Sequence, residues 1–297
     1  MRPADEGSPF PPIVCCIDDR YVLPLCVLLE SLFRAHSQYI ERFEVYVVHD
    51  SLTREARARI NLHANRLCIT VNFVEIDPVD FRYPIDGPQP GQFTKAVYLR
   101  LSLGEVLAGV PRALYLDADT IILDDIRPLL FHPLNGFPVG AVQDPIQPTL
   151  ERGYALPGWR EEGIPGDREY FNSGVLLFDL ESCLQRDVFE RAKQFLTASP
   201  GRAACLDQDA LNWALDDAWV RLDPRWNTIN SQAFIDYFGV ERMNGSDTES
   251  IDAVLDRERS AYILHFAGSN KPWSDGFPRS ETSKVYRRFL TSVLACD

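Results

Sequence analysis

Asp117 and Asp119 end an apolar run in "ALYLDADTII". Two carboxylates that close repel each other unless something positive lies between them. A divalent cation meets that need, because Mn²⁺ and Mg²⁺ take oxygen ligands and leave places for a substrate's phosphates. A loop aspartate that caps a turn is the plainer use, and so short a pattern leaves both open. Position favours chemistry. "ALYL" reads as an inner strand buried on both faces, and ligands of open α/β sheets bind beyond the carboxyl ends of strands. Asp18 and Asp50 end the apolar runs "PIVCCID" and "FEVYVVHD", so several strand ends can line one crevice. Asp124 and Asp125 need be no more than a turn or cap ahead of Ile126.

Other residues could join this chemistry. His265 follows the run "YIL", and Gly268 and Lys271 come soon after in "HFAGSNKPW". Imidazole suits Mn²⁺, glycine lets a backbone approach closely, and lysine brings a compact positive charge to a phosphate. A structural histidine and a solvated lysine are the alternatives. Arg100 lies in the apolar stretch "YLRLSLGE", where an arginine needs a partner. Asn172, in "FNSG", can both donate and accept hydrogen bonds. Asp207 and Gln208, in "LDQDALN", open a helix that Asp207 could cap.

These residues need a frame. The runs 12–18, 43–50 and 69–77 read as strands, with helices over 23–36 and 51–64 between them; Ser51 or Thr53 caps the second helix. That is βαβ patterning, which predicts a parallel sheet. Residues 78–92 read as loop and 94–107 as helix. Short strands follow at 113–116 and 136–142. Residues 143–170 form a Pro- and Gly-rich loop or lid in which Tyr154 and Trp159 offer stacking faces. A strand at 171–180, helices at 187–196 and from 207, and a last helix over 282–294 complete the pattern.

Bulk properties exclude some functions. The chain has 297 residues and a formal net charge of −13, which argues against nucleic acid. No run reaches the length of a membrane span, and residues 1–12 lack the apolar core of a signal peptide. The seven cysteines include no CxxC and read as buried free thiols, which fits a cytoplasmic protein. "CIDDRY" stands where a dinucleotide fold would carry GxGxxG. Neither GxxxxGK[ST] nor GxSxG occurs.

Taken together, "IDDRY", "LYLDADTII", "YFNSGVLLFDL", "LDQDALN" and "HFAGSNKPW" resemble, in order, the retaining glycosyltransferases of family 8. The nearest likeness is to bacterial lipopolysaccharide galactosyl- and glucosyltransferases; glycogenin and galactinol synthase are more distant. The resemblance implies an α/β fold of the GT-A type, a mostly parallel, Rossmann-like nucleotide-binding sheet with a smaller acceptor-side region. It divides the chain into a loosely packed N-terminus (1–11), a single transferase domain (12–273) and a C-terminal helical extension (274–297).

The same resemblance implies that UDP-glucose or UDP-galactose is the donor and a saccharide or glycolipid the acceptor. Mn²⁺ is the expected metal, with Mg²⁺ as the substitute, held by Asp117, Asp119 and His265. Asp18 meets the uracil, and Asp119 bridges to the ribose. Gly268 and Lys271 face the diphosphate, and Arg100 lies near the donor phosphate and sugar. Asn172 and Asp207 bind the donor sugar, Gln208 lies beside its anomeric carbon, and Asp144 faces donor sugar or acceptor. Arg20 departs from the family's usual asparagine, so it either meets the diphosphate or leaves the pocket.

A glutamine is a poor nucleophile, so front-face substitution is expected in place of the double displacement of retaining glycosidases. Catalysis then falls to Gln208, Asp207, Lys271 and Arg100. A nucleotidyltransferase, a sugar-nucleotide hydrolase and a silent sugar-nucleotide-binding protein are the alternatives. Arg287 and Arg288 could bring the last helix to the inner face of a membrane, or that helix is simply packed on the domain.

Overall fold

The computed structural model describes residues 9–77, 95–198, 203–239 and 250–295. Their strands are β1 (Ile13–Cys16), β2 (Glu44–His49), β3 (Thr70–Glu75), β4 (Arg112–Leu116), β5 (Thr120–Ile122), β6 (Val139–Gln143), β7 (Phe171–Asp179), β8 (Trp219–Arg221), β9 (Thr228–Ile229) and β10 (Ile263–His265). The larger sheet runs β3-β2-β1-β4-β7-β6-β8, and β5-β10-β9 form a smaller one. Strands β3, β2, β1 and β4 are parallel neighbours, as the βαβ pattern predicts.

Both faces of the larger sheet's inner strands are buried, which is why those strands read as continuous apolar runs. Ile13, Cys15, Leu114 and Leu116 pack on one face. Val14, Ala113 and Tyr115, one residue out of phase, pack on the other. The helix Val22–His36 covers the first face. Against it lies the helix Glu281–Leu294, whose Tyr286, Phe289 and Val293 are buried and whose Arg287 and Arg288 stay exposed.

One strand runs against the others. β7 is antiparallel to both β4 and β6. A reversed strand delivers its first residues to the edge where β4 delivers its last, and Leu116 pairs with Val175. Asn172, Ser173 and Gly174 thereby arrive beside Asp117.

Some local expectations change. Residues Lys95–Ser102 form 3₁₀ turns, and only Leu103–Val106 is α-helical. Ala96, Tyr98, Leu99, Arg100, Leu101 and Ser102 are all buried, so packing on several sides, rather than one apolar stripe, sets this backbone. Thr53, not Ser51, caps the second helix, its side chain accepting from Ala56 N–H. The six described cysteines are free thiols, but they are not all buried: Cys68 is exposed, at φ 57° in the turn that ends that helix. Cys296 lies outside the described residues. No helix among the described residues is long and apolar enough to cross a membrane.

Candidate active site and metal centre

The metal cluster is assembled by backbone pairing. Asp117 N–H donates to Gly174 O at 2.8 Å, which ties the end of β4 to β7. β5 then leaves directly after Asp119 and pairs antiparallel with β10, setting His265 opposite Thr120. Phe266 N–H donates to Asp119 O at 2.9 Å. Ligand atoms of Asp117, Asp119 and His265 thus lie within 4.8 Å of one another.

Their protonic partners are arranged in a particular way. Asp117 Oδ1 accepts from Arg100 Nη2 at 2.9 Å and Tyr115 OH at 2.6 Å. Asp119 Oδ2 accepts from Lys271 Nζ at 2.5 Å, while its Oδ1 is buried with no hydrogen-bond partner. His265 Nε2 sits 3.4 Å from that Oδ1 and 3.7 Å from Asp117 Oδ2. Each carboxylate therefore spends one oxygen on a protein cation and turns the other toward the imidazole. Such a pocket of converging acceptors fits a divalent cation, and an orphaned buried oxygen is costly without one. Asp125, by contrast, is spent on Arg127 and His36.

Arg100 stands behind the cluster. Its Nη1 donates to Ser173 O at 2.8 Å and Ser173 Oγ at 3.0 Å, and its guanidinium lies 4.3 Å over the Tyr115 ring. Nε lies 2.9 Å from Asp207 Oδ2, but its hydrogen goes to Val97 O, leaving Asp207 Oδ2 without a hydrogen-bond donor. Burial pushes the Asp207 carboxyl up to about 7, against the pull of the Arg100 guanidinium. Asp207 does not cap its helix. The cap position is Leu206, at φ 53°, and Asp207 is the first helical residue. A buried leucine in that conformation costs on the order of 1–3 kcal/mol. The turn leaves the Asp207 side chain facing Arg100.

Beside this pair lies a polar network. Asn172 Oδ1 accepts from Gly174 N–H at 3.0 Å and Asn227 Nδ2 at 2.8 Å, and Asn172 Nδ2 donates to Asp144 Oδ2 at 3.1 Å. Both lone pairs of that amide oxygen are used, so Asn172 can offer a ligand only its second N–H. Asp144 accepts from Ile146 N–H, Gln147 N–H, Asn172 and Gln208. Burial raises the Asp144 carboxyl and those donors oppose the rise. Gln208 Oε1 accepts from Ser173 N–H at 2.9 Å, which turns its Nε2 to Asp144.

On the opposite side, Lys271 Nζ also donates to Phe266 O at 2.8 Å. Gly268 has φ +87°, with Ala233 Cβ 3.7 Å from where a Cβ would be; only glycine holds that conformation cheaply. Asp18 caps the turn Asp19–Tyr21, accepting from Arg20 N–H at 2.9 Å and Arg20 Nε at 3.2 Å. Arg20 itself is half exposed and turned onto Asp18. Of the two candidate stacking residues, Tyr154 is exposed and stacks on Tyr237 with ring centroids 5.5 Å apart. Trp159 instead packs against the core.

Tyr115, Ser173, Gly174 and Asn227 were not legible as site residues, although the first three lie inside quoted motifs. Gly174 is tightest. A Cβ there would lie 2.2 Å from His265 Cε1 and 2.6 Å from Nδ1, so Gly174→Ala must displace the imidazole. Displacement on the scale of 1 Å costs about 10²-fold in turnover. The expected result is that loss together with weaker divalent-metal binding, read by titration; unchanged affinity would show that the ring has room.

A seven-stranded α/β sheet with an Asp/Asp/His cluster beyond the end of its inner strand is the frame of an α/β protein with a divalent-metal site. The chain belongs to glycosyl transferase family 8, whose model matches residues 12–276. It is 28% identical to General stress protein A of Bacillus subtilis (strain 168) over 93% of this chain and 90% of that one. It is 29% identical to the lipopolysaccharide 1,2-glucosyltransferase of Escherichia coli (strain K12), over 61% of this chain and 50% of that protein. The structure of the galactosyltransferase LgtC in complex with donor and acceptor sugar analogs superposes with a TM-score of 0.75 at 25% identity, covering 95% of each chain.

Proposed function

We propose that the protein is a retaining hexosyltransferase that moves glucose or galactose from a UDP-sugar to a saccharide or glycolipid hydroxyl, with Mn²⁺, or Mg²⁺ in its place, as the metal. The observation that carries this reading is the convergence of half-buried Asp117 with buried Asp119 and His265, the orphaned Asp119 Oδ1 among them, with Lys271 beside it. Those three residues would hold the ion. When bound, it would neutralise charge on the leaving diphosphate.

The chain's own groups suit the remaining tasks. Lys271 adds positive charge where the diphosphate accumulates negative charge. Gly268 lets the backbone approach the phosphates, and Asp18 offers the lone pairs it does not spend on Arg20 to the uracil N3–H. Asp207 presents an unsatisfied carboxylate oxygen to a sugar hydroxyl, and Asn172 presents one N–H.

The carboxylates beside Gln208 make poor nucleophiles: Asp144 is held by four donors, and Asp207, although its Oδ2 accepts no hydrogen bond, has that oxygen 2.9 Å from the Arg100 guanidinium, which damps its charge. That supports front-face substitution. The acceptor oxygen forms its bond to the anomeric carbon on the face from which UDP leaves, and the acceptor proton passes to a phosphate oxygen. Gln208, anchored by Ser173, lies beside the developing positive charge. Tyr154, with Tyr237, offers an exposed aromatic surface near Asp144 and Cys205 for the acceptor.

A screen of UDP-sugars with Mn²⁺, followed by UDP release, tests this reading. UDP from UDP-glucose or UDP-galactose is the expected product, and pyrophosphate would instead mean nucleotidyl transfer. Gln208→Ala is expected to leave the donor KM within a few-fold and to lower kcat by about 10²-fold. A sugar ester trapped on Asp207 or Asp144 would replace the front-face path with a double displacement.

A further inference from the structure

We propose that Asn227 is a positioning residue that fixes the tautomer of His265, keeping Nε2 bare for the metal; this rests on the metal-site reading of Asp117, Asp119 and His265. Gly174 N–H can only donate, and it donates to Asn172 at 3.0 Å. The atom it meets must be the amide oxygen. At the other end of the same amide, the Asp144 carboxylate accepts at 3.1 Å, so the atom there must be nitrogen. Both neighbours give Asn172 the same orientation.

That orientation propagates. Asn172 Oδ1 faces Asn227 at 2.8 Å, so Asn227 must turn its NH₂ toward Asn172. Its oxygen is then left facing His265 Nδ1 at 2.9 Å. A carbonyl oxygen only accepts, so Nδ1 must carry the ring proton. In the neutral ring Nε2 is therefore an unprotonated lone pair, and it is the nitrogen aimed at Asp119 Oδ1 and Asp117 Oδ2. The opposite tautomer would place two acceptors against each other at Nδ1. It would also give Asp119 Oδ1 a hydrogen-bond donor in place of a cation.

Every link is buried. Asn227 is 1% exposed, His265 3% and Asn172 8%, so water does not compete for these bonds. Gly174 contributes twice, since its N–H sets the relay and its missing Cβ leaves room for the imidazole. A partner on the remote nitrogen is how proteins fix a histidine ligand's tautomer and ring plane, and its loss typically weakens metal binding by about 10–100-fold.

The first test needs no variant. Long-range ¹H–¹⁵N NMR of the metal-free wild-type protein at about pH 8.5, above the ordinary histidine pKa, reads the tautomer directly. His265→Gln assigns its signals among the five histidines. Nδ1–H on His265 is expected, and an Nε2–H ring overturns the proposal. The second test is Mn²⁺ affinity in the presence of UDP. Asn227→Ala should bind about 10–100-fold more weakly. Asn227→Asp, which keeps an acceptor at Nδ1, should retain the wild-type tautomer.

The failures are distinguishable. Wild-type protein that binds Mn²⁺ while folded N227A binds equally overturns only the role of Asn227. Wild-type protein that binds no Mn²⁺ overturns the metal reading and, with it, the purpose assigned to Asn227. Should N227A not fold, the wild-type spectrum decides.

Discussion

Asp119→Ala is expected to lower kcat/KM for sugar transfer by at least ~10³-fold, about 4 kcal/mol of transition-state stabilisation. Asp119 acts in two directions. Its Oδ1 is the buried, unpartnered acceptor facing His265, and its Oδ2 holds Lys271. Burial works to raise the carboxyl's pKa, yet Lys271 helps hold it well below the usual carboxylate range, so the residue is ionised wherever the enzyme would be assayed. On the proposed reading, removing it takes away a metal ligand and frees Lys271 from the carboxylate that holds it beside the cluster. The fold should tolerate the change, because the bond that joins β5 to the residue after β10 uses the Asp119 backbone oxygen and Lys271 keeps Phe266 O. UDP release, Mn²⁺ titration and a melting curve check the three parts separately. Activity within tenfold of wild type would remove Asp119 from the metal site.

The sheet was legible because strands buried on both faces leave an unmistakable run of apolar residues. Strand direction was not. "FNSGVLLFDL" has the composition of any inner strand, and nothing within it says that β7 runs antiparallel. That reversal matters more than the strand's existence, since it sends Asn172, Ser173 and Gly174 to the mouth of β4. The 3₁₀ segment was missed for a related reason: buried packing on several sides looks, in sequence, like a strongly apolar helix.

The Asp117, Asp119 and His265 cluster was legible because its members belong to motifs with an order along the chain. Their supports were not. His265 meets Asn227 across 38 residues, and Lys271 meets Asp119 across 152. Asn227, in "RWNTIN", has no neighbour in sequence that would mark it. Gly174 sits in the open inside "FNSG", but its function is the absence of a side chain beneath a histidine 91 positions away in "YILH". Asp207 shows the reverse. Its type suggested a cap, and only the left-handed Leu206 reveals that it is not used as one.

Arg100→Leu is expected to cost about 3–5 kcal/mol of stability, the usual result of leaving buried charge without its partner. For a chain of this size that is a fall of about 5–8 °C in Tm. Arg100 is 4% exposed. Burial disfavours its charge, but Asp117 and Asp207 together outweigh that and keep the guanidinium protonated. Leucine fills much of the space and holds neither acid. The loss should depend on pH. Burial has already raised Asp207 to about 7, so folding prefers its protonated form. That preference stabilises the protein fully below the ordinary carboxylate pKa and is lost as pH rises toward 7. Without Arg100 the carboxyl moves higher still, and the window of loss extends upward with it. The variant should therefore lie closest to wild type near pH 5 and fall furthest behind near pH 8, with Tm as the readout. Arg100→Lys separates charge from shape. An ammonium restores part of the pH response, but it cannot reach Asp117, Ser173 and Val97 at once, as the guanidinium fork does. R100K should therefore recover stability more than turnover, because Ser173 also anchors Gln208. A Tm offset that is flat from about pH 5 to 8 would mean that Asp207 is not answering to Arg100. The arginine would then act through packing on Tyr115.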